Sequence, residues 1–475
     1  MIFSSLLFIF CFLPLVTAVY YILKPFPIIV RNVWLLLASL FFYAWGEPKF
    51  VFVMMLFILL NYGFGYGLDV ADRASVRKCL LAVAVVCNLS LLFIYKYLDF
   101  TIETINRVFP DSLTVRGMRL PIGISFFTFQ SVSYVVDVYR KKSSAQKNPL
   151  NVGLYIAFFP QLIAGPIVRY ESIAEQIKMR KESLDLYGEG VYRFLQGLLK
   201  KILLANVCGQ LADPIFAEVA NGNPLSFCMA WLGAIAYLFQ IYYDFSGYSD
   251  MAIGLGKMFG FTFEENFNYP YYASSVTDLW RRWHISLGRW FRDYVYIPLG
   301  GSRGSKARTT FNLFVVWSLT GVWHGANWTY LFWGLCFFVL LTFEKVTKIP
   351  EKLEGRPVGG FFYRILTVLS FQIGMIFFRS PSLSKAFVYL RYMCKAGGNA
   401  WSEPAAVQYL HENWICLVIA ALLSVPLIPW IKTKLHLEDR TGFQVARAVT
   451  YILLFLYAMS FLVINFYNPF IYFNF

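Results

Sequence analysis

The stretch Phe50–Leu68 holds nineteen residues without one Lys, Arg, Asp or Glu, and apolar runs of similar length recur along the chain. A hydrocarbon core about 30 Å thick takes about 20 apolar residues of helix, so the recurrence predicts an all-α, polytopic membrane protein. Eleven segments stand out: Ile2–Leu23, Val30–Trp45, Phe50–Leu68, Leu80–Tyr97, Leu120–Val138, Leu225–Tyr243, Thr310–Trp323, Trp328–Phe343, Phe361–Phe378, Trp414–Trp430 and Ala446–Asn465. Composition agrees: of 475 residues, 58% are hydrophobic and 15% charged, with 48 Phe, 31 Tyr and 13 Trp. A soluble domain of this length could not hide that much apolar surface.

Ile2–Leu23 has no Lys or Arg before it and so lacks the charged start of a cleavable signal; it reads as a retained span. Leu154–Val168 is interrupted by Pro160, Gly165 and Pro166, which predicts a broken or re-entrant helix walled in by protein. Positive residues favour the cytoplasmic side. With the amino terminus outside, the first cytoplasmic loops carry Lys24, Arg31, Arg73, Arg77, Lys78, Arg140, Lys141, Lys142 and Lys147, against Lys49, Arg107 and Arg116 in the outside loops. No polar stretch is long enough for a separate domain. The chain therefore reads as one integral-membrane domain over residues 1–475.

The net charge of +15 comes without the basic, aromatic-interleaved tract that nucleic-acid binding would need. The eight cysteines lie mostly in apolar stretches without short C-x-x-C spacing, and are expected to be small core residues. No metal-ligand cluster and no G-x-S-x-G elbow occurs.

Four histidines are present, and two sit in unusual places. His324 lies in Phe311–Gly334, a run without any Asp, Glu, Lys or Arg. An ionisable group at such depth points to function, and desolvation favours the neutral imidazole that a general base requires. A structural histidine bonded to Asn327 or a carbonyl is the plainer reading. His284 lies in Asp278–Tyr294. As one continuous helix, that segment would gather Trp280, Trp283, His284, Leu287, Trp290, Phe291 and Tyr294 on one face, opposite a charged arc containing Asp278, Arg282, Arg289 and Asp293. An interfacial amphipathic helix with His284 merely tolerated explains the pattern equally. Asp244 and Asp250 stand in an apolar neighbourhood and are expected to pair with the arginines near His284. The run Leu299–Arg308 could present amides and cations to phosphates or simply mark a cytoplasmic loop. His411 and His436 stand beside Glu412 and Glu438 and suggest no role.

Six motifs stand out along the chain: Phe3-Ser-Ser-Leu-Leu-Phe-Ile-Phe, Pro121-Ile-Gly-Ile-Ser-Phe-Phe-Thr-Phe-Gln130, Phe159-Pro-Gln-Leu-Ile-Ala-Gly-Pro-Ile167, Tyr243-Asp-Phe-Ser-Gly-Tyr-Ser-Asp-Met-Ala-Ile-Gly254, Trp280-Arg-Arg-Trp-His-Ile-Ser-Leu287 and Thr320-Gly-Val-Trp-His-Gly-Ala-Asn-Trp328. Together they resemble the membrane-bound O-acyltransferase (MBOAT) family, in its bacterial alginate O-acetylation branch. The resemblance covers nearly the whole chain, with the catalytic motifs concentrated in residues 121–334. It implies about 11–13 transmembrane helices, with re-entrant and amphipathic helices, around a central funnel. It also implies acyl transfer from a cytoplasmic thioester through the protein to an acceptor on the other side. His324 and His284 would be the catalytic pair, His324 as base, with Trp283, Trp323 and Asn327 lining the substrate path. No bound cofactor is implied; acetyl-CoA or another acyl thioester is the donor, and the branch works with an extracytoplasmic polysaccharide acetyltransferase partner in the bacterial inner membrane. D-alanyl transfer to teichoic acid, a polysaccharide transporter, and an export scaffold without acyl transfer are the alternative readings.

Overall fold

The computed structural model describes residues 1–110, 112–163, 165–437, 440–464 and 467–471. Ala164, Glu438 and Asn465, which the sequence reading touches, lie outside the described residues. Among the described residues there is helix and no strand. Eight helical segments are long and apolar enough to cross a bilayer: Ile28–Gly46, Val51–Val70, Ala74–Val108, Leu184–Asn221, Trp328–Thr347, Pro357–Arg379, Pro404–Leu423 and Thr441–Ile464.

Several of these differ from the sequence expectation. The first apolar run forms only the shorter helix Phe8–Ile22. Leu120–Val138 becomes a helix of 16 residues, Ile124–Tyr139. Helices Phe227–Met258 and Lys306–His324 occupy two further expected spans but are not among the eight. The span marked at Trp414–Trp430 starts earlier, at Pro404. Leu184–Asn221 was not expected as a span at all. Its ionic residues lower its hydropathy, yet they are matched within the protein, as Arg193 with Asp250 at 2.7 Å, Lys201 with Asp244 at 2.5 Å and Asp213 with Arg379 at 2.8 Å. The segment still holds a window apolar enough to cross a bilayer, and folding supplies partners for these charges.

The same pairs correct the expectation for Asp244 and Asp250, whose cations come from Leu184–Asn221 rather than from the arginines near His284. Arg31, counted as a loop charge, is instead buried inside Ile28–Gly46 and bonds Glu182 at 2.6 Å. The cysteines also depart from expectation: Cys208 is buried, whereas Cys11, Cys79, Cys228 and Cys394 are exposed. In a membrane protein an apolar position faces lipid as readily as core, so residue character alone does not report burial.

The chain divides into two compact units. The first comprises Met1–Phe194 with Tyr248–Glu265. Its core is a nest of rings, in which Phe3 stacks on Tyr248 at 4.7 Å and Phe159 meets Phe12 edge-on at 5.4 Å. The expected break in Leu154–Val168 falls at Phe158, between helices Pro149–Ala157 and Phe159–Leu162. Backbone groups freed by the break find side chains: Phe159 N–H donates to Ser39 Oγ at 3.1 Å, and Gln161 Nε2 donates to the Tyr155 carbonyl at 2.5 Å.

The second unit comprises Leu195–Gly247 with Asn266–Phe475 and contains both motif histidines. Helices Lys306–His324 and Trp328–Thr347 form a tight hairpin. Glycines set its closeness: a Cβ on Gly321 would stand 2.5 Å from the Tyr330 carbonyl oxygen, and one on Gly334 would fall on the carbonyl of Trp317. The turn between the helices is capped by Asn327, whose Oδ1 accepts from Thr329 N at 3.0 Å.

Candidate active site

His284 does not sit on a continuous amphipathic helix. The segment breaks into Val276–Arg282 and Ile285–Phe291, followed by a π-helical turn Arg292–Tyr296. His284 is the hinge between the two short helices, with left-handed backbone at φ 48° and ψ 51°. That conformation costs a side-chain-bearing residue about 1–2 kcal/mol, and such strain concentrates at functional positions.

Neighbouring backbone holds the break in place. Ile285 N–H donates to the Asn266 carbonyl at 2.9 Å, and Asn266 Oδ1 accepts from Ser286 N at 3.1 Å and Ser286 Oγ at 2.9 Å. Asn268 N–H reaches the Arg282 carbonyl at 2.9 Å from the other side. Along this segment Asp278 pairs with Arg282 at 3.0 Å, and Asp293 with Arg292 at 2.7 Å.

The His284 side chain is buried among rings: Phe245 at 6.5 Å, Phe267 at 6.3 Å and Trp323 at 6.1 Å between centroids. Burial pushes its imidazole down from 6.5 to about 3, partly offset by its own backbone. Its Nδ1 has no hydrogen-bond partner in another described residue. The ring is therefore neutral at physiological pH and keeps a lone pair or a proton to offer.

His324 ends the helix Lys306–His324, and Gly325 continues as extended chain. Its imidazole is buried in a box of edges, with Trp323 and Trp333 each at 5.0 Å and Phe378 at 5.1 Å. A Cβ on Gly325 would fall on the Tyr330 ring, so glycine is needed for close approach rather than for an unusual φ. Trp323 thus borders both imidazoles.

The other expected site residues divide. Trp283 joins Phe267 at 5.1 Å, Phe371 at 4.9 Å and Tyr242 at 6.2 Å, part of the same aromatic wall as His284. Asn327 is half-buried and its amide is engaged, capping the helix and donating to the Pro381 carbonyl at 3.2 Å. Sequence reasoning missed Trp333 and Phe378 around His324, and the Asn266 clamp behind His284. Trp333 could have been found, nine residues after His324 in the same charge-free run. Phe378 and Asn266 are distant in sequence and left no signal.

This is a buried, aromatic-walled constellation of two imidazoles in a multi-pass α-helical membrane protein. A family model, MBOAT, the membrane-bound O-acyltransferase family, matches residues 37–349. The chain is 37% identical to a probable alginate O-acetylase AlgI of Pseudomonas putida, over 100% of both chains. It is 33% identical to a peptidoglycan O-acetyltransferase of Helicobacter pylori, over 84% of this chain and 80% of that one. Likeness to a teichoic acid D-alanyltransferase of Bacillus subtilis is 31% identity over 48% of this chain and 60% of that one. The chain belongs to the membrane-bound O-acyltransferase family and is an O-acyltransferase of the membrane.

Proposed function

We propose that this protein moves an acetyl group from a cytoplasmic thioester, most simply acetyl-CoA, to hydroxyls of an extracytoplasmic polysaccharide of the alginate kind. The observation carrying this reading is the pairing of two buried imidazoles about Trp323 in a chain that matches a probable alginate O-acetylase over its full length. His324 withdraws the proton of an attacking hydroxyl so that its oxygen can add to the thioester carbonyl. The carbon–sulfur bond then breaks, and the imidazolium returns its proton to the departing sulfur. His284, kept neutral by burial, orients or polarises the reacting groups. Trp283 and Trp323 wall the path, and the dry aromatic surroundings protect the thioester from hydrolysis.

The protein lies in the bacterial inner membrane with its amino terminus outside, and hands the acetyl group to an extracytoplasmic polysaccharide acetyltransferase. The charge bias of the first loops supports this orientation. D-alanyl transfer to teichoic acid is the second reading, favoured by the partial likeness to the Bacillus enzyme. The test uses purified protein in liposomes with labelled acetyl-CoA, comparing wild type with His324→Ala. Turnover and label transfer in wild type, absent in the variant, are expected. Acceptance of a D-alanyl carrier thioester and refusal of acetyl-CoA would instead establish the second reading.

A further inference from the structure

Beyond the helix Thr441–Ile464, residues Tyr467–Phe470 form no regular secondary structure, and Phe470 and Ile471 are buried in the second unit. Buried backbone outside a helix needs a partner for its N–H and C=O groups. Two are supplied by one buried ion pair. Lys201 Nζ donates to the Pro469 carbonyl, Asp244 Oδ2 accepts from Ile471 N–H at 3.0 Å, and Lys201 and Asp244 stand 2.5 Å apart. Upstream, Tyr467 OH donates to Asp213 Oδ2 at 2.5 Å, and Asn206 Nδ2 donates to Asn468 Oδ1 at 3.2 Å.

The segment leads to the candidate active site through two rings. Phe470 stacks on Phe245 at 6.4 Å and 24°, and Phe245 meets the His284 imidazole at 6.5 Å. Asp244 and Phe245 are consecutive residues of one helix, so the ion pair and the ring act on the same turn. A buried ion pair contributes little net stability compared with apolar packing, because desolvating both charges is costly. A pair that fixes two backbone groups of this segment supplies location instead.

We infer that Lys201 and Asp244 are positioning residues for His284: they fix the Tyr467–Ile471 segment, Phe470 backs Phe245, and Phe245 closes one side of the imidazole's pocket. This rests on the role proposed above for His284. Releasing the segment leaves both histidines in the chain but loosens one wall of the site.

The full-length protein in liposomes provides the test, through Phe470→Ala, Asp244→Asn and Phe470→Leu. Two readouts are taken: the kinetics of labelled acetyl-CoA turnover, and the rate at which diethyl pyrocarbonate modifies His284, followed by peptide mass spectrometry. Phe470→Ala and Asp244→Asn should lower kcat by about 10- to 100-fold with KM for the thioester little changed, as expected for misplacement of a reacting group. Both should speed modification of His284, while Phe470→Leu, which refills the space, restores both readouts toward wild type. Folded Phe470→Ala and Asp244→Asn proteins with unaltered kcat and unaltered His284 modification would overturn the inference. Should either variant fail to fold, the double variant Lys201→Met with Asp244→Leu replaces the pair with apolar side chains while removing its hold on the segment. Faster His284 modification there supports the inference and a wild-type rate refutes it. The modification readout does not need the reaction, so absence of acetyl-CoA turnover in wild type would refute the proposed function and leave the positioning result readable.

Discussion

The rings of His284 and Trp323 meet edge to face, 6.1 Å between centroids at 73°, although 38 positions separate them in the chain. Trp323 is also the residue immediately before His324, whose imidazole it meets at 5.0 Å. One indole therefore borders both imidazoles, and its loss should disturb both. Trp323→Ala is expected to cost about 3–5 kcal/mol of stability through the cavity it leaves. Trp323→Phe, keeping an aromatic wall, should retain most acyl transfer; thermal unfolding in detergent together with turnover in liposomes checks both.

Removing the imidazoles separates their roles. His324→Ala should abolish general-base assistance, a loss of about 10²–10⁴ in kcat. His284→Ala should also lower kcat, and the two losses should combine less than additively if the rings act on one transition state. Single-turnover measurements with labelled thioester give the four rates needed.

Acid sensitivity follows from the burial of His284. Its folded value of about 3 lies below the ordinary 6.5, so between those pH values the unfolded chain binds a proton that the folded protein does not. This contribution to stability is complete above about pH 6.5 and is lost as pH falls toward 3, by up to about 1.4 kcal/mol per pH unit. The melting temperature of wild type should therefore fall more steeply on acidification than that of His284→Gln. Parallel curves for the two proteins would show that burial does not hold the imidazole neutral.

The Asn266 clamp should govern the break at His284. Asn266→Ala removes the Oδ1 that accepts from Ser286 N–H and Oγ–H, at a cost of about 1–3 kcal/mol. Because the backbone hydrogen bond from Ile285 remains, the variant should fold, with kcat reduced more than thioester affinity. Equal loss of both, measured by steady-state kinetics, would argue against a role in aiming His284.

Gly325→Ala tests the packing beside His324. The added methyl would fall on the Tyr330 ring, and overpacking of this kind costs about 1–3 kcal/mol. Replacing Tyr330 with Ala in the same protein should relieve the clash and recover part of the lost thermal stability.

Much was legible in the sequence. The lengths of the apolar runs determine an all-helical membrane protein, because a backbone without water must satisfy itself locally. Pro160 and Gly165 announced the broken helix, and the charge-free run Phe311–Gly334 marked His324 as a candidate, since an ionisable group there needs a reason. Tertiary structure alone decided the rest. The partners of the charged residues in Leu184–Asn221, among them Asp244, Asp250 and Arg379, lie far away in sequence, and only folding brings them within reach. The helical wheel through Asp278–Tyr294 failed at His284 because Asn266 and Asn268, outside the window, hold the backbone open there. Periodicity reports what a segment would do alone. Ion pairing, ring packing and a strained hinge depend on partners that only the folded chain brings within reach.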